Sequence, residues 1–202
     1  MPATVITIRT VLLPQNKTLT HSIVLANGKA RSDNELDRWR LFNLDDNTIT
    51  YVDDIAKTYY TVPFSGGPRS SAAAEDGGRP QIVATGAKRI VQGVEASQFF
   101  VRIGGYQREL WIGAPASIPQ QLFGMMNADF SEVRGFPLID HAELPYGKLK
   151  LVVDRSVVKI EQRNVPMSLL NIGSGYQSIT APGASRPPAS SPRRGQSTPK
   201  AG

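Results

Sequence analysis

The segment TVITIRTVLL, residues 4 to 13, sets Ile6, Ile8 and Leu12 on one side of an extended chain and Thr7 and Arg9 on the other. A period of two predicts a β-strand. Pro14 to Lys17 turns the chain, LTHSIVLA returns it, and Asn27-Gly28 predicts a tight hairpin because both residue types tolerate positive φ. A strand through Lys29 to Ser32 follows. In DRWRLFNL, Trp39 and Leu41 oppose Phe42 and Leu44, which predicts a further strand.

Two Asp-Asp pairs then bracket a short run in DDNTITYVDDIAKTYYTV, residues 45 to 62. An extended segment rises about 3.3 Å per residue, which puts Asp46 and Asp53 roughly 23 Å apart. Paired catalytic carboxylates need about 5 to 9.5 Å. Asp also favours turns by bonding its own backbone, so the pairs are read as punctuation around a β-hairpin. Ile49 and Tyr51 face one way, and Thr48, Thr50 and Val52 the other.

Residues 65 to 81, SGGPRSSAAAEDGGRPQ, form a long loop by composition. Strands resume at IVATGAKRIV and EASQFFVRIGG, divided near Gly93, and YQRELWIGA runs up to Pro115. One stretch reads as a helix. In SIPQQLFGMMNADF, Ser117 is placed to cap and Pro119 fits the first turn, while Ile118, Leu122, Phe123, Met125, Met126 and Phe130 recur at helical spacing. The segment through Gly135, Pro137 and Pro145 has loop composition. KLKLVVDRSVVKIEQRNV predicts two last strands with Asp154-Arg155 near the middle, and VPMSLLNI allows one helical turn at most.

Composition narrows the classes. At 202 residues the chain suits one domain, residues 1–180. The remainder, residues 181–202, is rich in Pro, Ser and Gly and has little to bury, so it is expected to be disordered. It carries Arg186, Arg193, Arg194 and Lys200 without an acid, which is four of the formal net +6 and leaves +2 on the body. Those cations suit weak contact with anionic surfaces. A body of near-balanced charge argues against nucleic acid as the partner.

With no cysteine there is no disulfide, thiol nucleophile or thiolate metal site. No run reaches the roughly 18 apolar residues of a membrane-spanning helix. The start lacks a basic leader, an apolar core and a cleavage site, so the protein is expected in the periplasm or outside the cell if a signal has been removed, and in the cytoplasm otherwise. Nucleophile-elbow, phosphate-loop, dinucleotide and zinc-helix motifs are missing. His141, beside Asp140 and Glu143 in IDHAEL, is the one candidate for base or weak metal chemistry. No catalytic residue, metal or cofactor is assigned.

The order of elements carries a resemblance. The hairpin ending in a Tyr-rich strand, Thr85, Gly86, Lys88, Ile90, Gly93 and Ala96, then Trp111 after an acidic residue, and Val165-Pro166 through Gly175-Tyr176 resemble an uncharacterised family of exported bacterial proteins. That family is similar to the outer-membrane lipoprotein carriers, the LolA-like group. The resemblance implies a mainly β (α+β) fold, in which a curved antiparallel sheet forms an incomplete barrel covered by one or two helices. It also implies lipid or lipoprotein as partner. Trp111, Leu122, Phe123 and Met126 are the residues expected near a cavity between sheet and helix.

Two functions follow, in different classes. One is a non-enzymatic envelope protein that binds acyl chains or a lipoprotein in that cavity. The other is a structural or protein-interaction module with a packed core and no small-molecule ligand. A hydrolase built on His141 is a third.

Overall fold

The computed structural model describes residues 1–35, 37–64, 81–103, 106–126, 133–146 and 149–182. The first meander holds β1 (Pro2–Leu13), β2 (Lys17–Ala26), β3 (Lys29–Glu35), β4 (Arg38–Asn43), β5 (Thr48–Asp53) and β6 (Thr58–Pro63). The second holds β7 (Gln81–Val91), β8 (Val94–Ile103), β9 (Tyr106–Gly113), β10 (Phe136–Tyr146) and β11 (Leu149–Asn164), with helix α1 (Gln120–Met126) between β9 and β10. A 3-10 turn (Met167–Leu170) and the short β12 (Gln177–Ser178) end the described chain.

The twelve strands form one large curved sheet that does not close, in the order β12-β6-β5-β4-β3-β2-β1-β11-β10-β9-β8-β7. Antiparallel pairing of β1 with β11, from Pro2 opposite Asn164 to Leu13 opposite Val152, joins the two meanders. The hairpin at Asn27-Gly28 forms as its residue types require, with φ of 48° and 67°. A second two-residue turn, Gln92-Gly93, has φ of 50° and 75°.

Alternation sets up two apolar faces. Ile6 and Ile8, Ile23 and Leu25, Phe42 and Ile49 join one cluster, together with Ile118, Leu122 and Met125 of the helical region. Their neighbours Val5, Val24, Leu41 and Val52 point the other way and join a second cluster with Val165 and Leu170. The chain after β11 therefore covers the back of the first meander. Because both faces are covered, β2 ends in the unbroken apolar run IVLA rather than in a polar alternation.

The structure corrects four expectations. IDHAEL is strand and not loop, lying inside β10, which pairs with β9 and β11. KLKLVVDRSVVKIEQRNV is one long strand with its irregularity opposite Thr7 and Ile8, and no break falls at Asp154-Arg155. Among the described residues the expected covering helices are represented by α1, seven residues beginning after Ser117 and Pro119, and one 3-10 turn. The sheet is also not wholly antiparallel, since β12 runs parallel to β6. The loop and the tail read from composition lie outside the described residues, except Gln81, Ala181 and Pro182.

Candidate functional site: a pocket on the concave face

Residues directly opposite on paired strands share a face of the sheet. Thr10 of β1 lies opposite Leu19 of β2 and Arg155 of β11, and Arg155 lies opposite Asp140 of β10. A neighbouring row runs from Arg40 of β4 through Ser32 of β3 to Ile23 of β2. All of these residues, with Arg108 of β9, line one pocket of about 460 Å³.

Seven adjacent strands, β4 to β9 in sheet order, contribute to it. Six spacings of about 4.8 Å would span roughly 29 Å in a flat sheet. Arg40 and Arg108 meet at one pocket because the sheet curls around it. The pocket is thus the hollow of the incomplete barrel.

Its walls differ in chemistry. Ile8, Ile23, Phe136 and Val157 supply an apolar side and belong to the cluster that includes α1. The same pocket holds a charged group centred on the buried Asp140. Arg108 forks onto this carboxylate, Nε to Oδ1 at 3.1 Å and Nη2 to Oδ2 at 2.6 Å, and Arg155 Nη1 donates to Oδ2 at 3.1 Å. A buried carboxylate needs such compensation, and the planar guanidinium fork supplies it.

Arg40, whose guanidinium lies 5.5 Å from the Phe42 ring centroid, is the third arginine of the wall. Burial pushes the His21 pKa down, and Arg155 pushes it further, against an opposing pull from Asp33. His21 is therefore neutral at pH 7. Thr10 is 6% exposed, and its hydroxyl is buried without a hydrogen-bond partner.

The residues expected at a cavity divide. Trp111 and Leu122 are buried in the same apolar cluster as the pocket's floor, while the side chains of Phe123 and Met126 lie outside the described residues. Trp111 Nε1 donates to Glu109 at 2.8 Å, and the Arg89 guanidinium lies 3.8 Å from its ring centroid. The acidic residue before Trp111 is thus its hydrogen-bond acceptor. Gln98 Nε2 also donates to Glu109, which first among several causes holds that carboxyl below its usual range.

His141 sits in a different setting. Its Nδ1 is 2.5 Å from Asp154 Oδ1, and its Nε2 is 3.9 Å from Glu143. The hydrogen bond to Asp154 raises the histidine pKa despite partial burial. Lys150 engages Glu143 at 2.9 Å. Among the described residues no group of three His, Cys, Asp or Glu side chains is placed to hold a metal.

Asp46 and Asp53 lie at opposite ends of β5 and form no joint site. Asp53 Oδ1 accepts from the backbone of Ile55 and Ala56, and Asn43 Oδ1 accepts from Asp45 and Asp46, as turn residues do. Among the described residues no helix is long and apolar enough to cross a membrane.

Comparison with known proteins bears on the fold alone. The chain is similar to PNGF-II, solved in two crystal forms, at TM-scores of 0.53 and 0.52 and 11% identity, over 90% of this chain and 31% and 32% of that one. It spans about a third of that protein's length. The Pseudomonas aeruginosa MucA/MucB complex aligns over 90% of this chain and 59% of that chain, at 15% identity and a TM-score of 0.40. A putative outer membrane lipoprotein-sorting protein domain from Vibrio parahaemolyticus aligns over 84% and 89%, at 10% identity and a TM-score of 0.23. Scores that low carry no argument about this chain. No family model matches the sequence, and no curated protein matches it.

Proposed function

We propose that this chain is a non-enzymatic binding protein that holds an acyl chain or another apolar ligand in the hollow of its curved sheet. What carries the reading is the pocket of about 460 Å³, open to a wall of Ile8, Ile23, Phe136 and Val157. That volume lies within the usual range for ligand sites. The pocket continues into the cluster of Trp111 and Leu122, so α1 stands behind the binding wall.

In this reading the ligand is bound and released unchanged, and the natural place for such a protein is the cell envelope, where acyl chains or lipoproteins need a carrier. The test is native mass spectrometry of protein purified from a bacterial host without detergent, followed by extraction. A discrete added mass matching an acyl lipid supports the reading. Protein that emerges bare, and stays bare after incubation with acyl lipid, overturns it.

A second reading, an interaction module with a filled interior, draws on the fully buried Leu122 and the tight cluster around it. It predicts no ligand mass and a partner on the outer surface.

A further inference from the structure

Resting on the reading above, we infer that the apolar ligand carries a small uncharged head with a hydroxyl, as a fatty alcohol or a monoacylglycerol does, and that Thr10 and His21 receive that head inside the hollow. Three observations converge on this.

The first is the unfilled bonding capacity of Thr10. The residue is 6% exposed, and among the described residues its Oγ1 is the one buried side-chain oxygen or nitrogen without a hydrogen-bond partner. Native proteins leave few such atoms, because an unpaired buried hydroxyl is destabilising. Its neighbours on that face of β1 are Ile8 and Leu12, and all three line the hollow. A valine would fill nearly the same space without the penalty, so the hydroxyl answers to something that the free chain does not supply.

The second is the group beside it. Leu19 lies opposite Thr10, and His21, two positions along β2, lies opposite Ile8. Thr10 and His21 are therefore diagonal neighbours on one face, with Cβ atoms roughly 7 Å apart, and both line the hollow. Burial keeps the His21 imidazole neutral, with help from Arg155, so its ring offers one donor and one acceptor. The threonine hydroxyl also offers both. A ligand hydroxyl donates and accepts in the same way and can serve the pair, whereas an ether or a carboxylate only accepts.

The third is the state of the neighbouring carboxylate. Asp140, 5% exposed, is held by Arg108 at 2.6 Å and by Arg155, the residue opposite Thr10 on β11, at 3.1 Å. An ionised head would have to shed its water beside that pairing, and stripping water from an ion costs far more than stripping it from a hydroxyl. Size sets the rest. At roughly 30 Å³ per water-sized group, about 460 Å³ holds on the order of 15 non-hydrogen atoms. A single medium-length chain with a small head fits that number, and a two-chain lipid does not.

The test is calorimetric titration of the full chain at pH 7.5 with 1-octanol, monooctanoylglycerol, methyl octyl ether and octanoate. At least one of the two hydroxyl ligands is expected to bind about fivefold or more tighter than the ether, with octanoate no tighter than that ligand, and the tighter of the two names the head. The preference over the ether should shrink about threefold or more in Thr10→Val and in His21→Phe, and persist in Thr10→Ser. The melting temperature of ligand-free Thr10→Val should not fall, since the substitution removes an unpaired buried hydroxyl. Weaker binding without lost stability is what a receiving group shows and a structural one does not. Equal affinity for hydroxyl ligands and ether overturns this inference and leaves the apolar-ligand reading standing, and tighter binding of octanoate overturns the uncharged head. A preference unchanged in Thr10→Val, or a lowered melting temperature of that variant, means that the hydroxyl serves water or the fold and overturns its assignment. Binding of no probe overturns both readings.

Discussion

Asp54 accepts from Trp39 Nε1 at 3.1 Å and from the Tyr176 hydroxyl, so one carboxylate ties β4 to the chain that follows β11. Burial opposes its charge, and the two donors outweigh that opposition, leaving the pKa below its usual value. Its neighbour Asp53 is turn punctuation, as the sequence implies, but the link to Tyr176 spans 122 positions and no local pattern announces it. Thr10 and Arg155 of the pocket are inconspicuous in the sequence for a related reason. Thr10 between Ile8 and Leu12, and Arg155 between Val153 and Val157, are polar interruptions in inward apolar series, and only strand order brings them together. His141 gives a prediction at this scale. Its folded pKa is raised, so its pairing with Asp154 stabilises fully below the unfolded value near 6.5 and is lost as pH rises through the folded value. The melting temperature of the wild type should therefore exceed that of His141→Gln by more at pH 5.5 than at pH 8.5. A difference independent of pH would contradict the pairing.

Most strands were legible because period-two alternation and turn residues agree along them, as at Asn27-Gly28, where a Cβ on Gly28 would meet Asp45 Oδ2 at 2.5 Å. β10 was not, since Pro137 and Pro145 argue against a strand with neighbours on both sides. The structure accommodates them at the margins: Pro137 adjoins the register shift with β9, and Pro145 is one residue from the strand's end. The mid-strand charges of β11 misled similarly, and they are matched across the sheet, Asp154 by His141 and Arg155 by Asp140. The segment after β11 contributes its own element-scale test. Leu170 is 2% exposed and packs in the cluster of Trp39, Leu41 and Val52. Leu170→Ala should lower unfolding stability by about 2 to 4 kcal/mol in chemical denaturation, and a loss below about 1 kcal/mol would mean that this segment does not close the back of the sheet.

Over the whole molecule, the decisive feature is how the two meanders join. Pairing of β1 with β11 makes one sheet of twelve strands, and its curl converts rows of residues far apart in sequence into one hollow. The sequence implied a curved sheet through its resemblance to the lipoprotein carriers, and Trp111 and Leu122, expected near a cavity, belong to the apolar cluster that also holds Ile8, Ile23, Phe136 and Val157 of the hollow. Helix α1 shares that cluster through Leu122 and Met125. The most direct test of this account is methyl NMR of the isotope-labelled protein titrated with dodecanoate. Shifts concentrated at Ile8, Leu12, Leu19, Ile23 and Val157 are predicted. Shifts confined to Val5, Val24 and Leu41 on the opposite face, or none at saturating ligand, would contradict a binding site in the hollow.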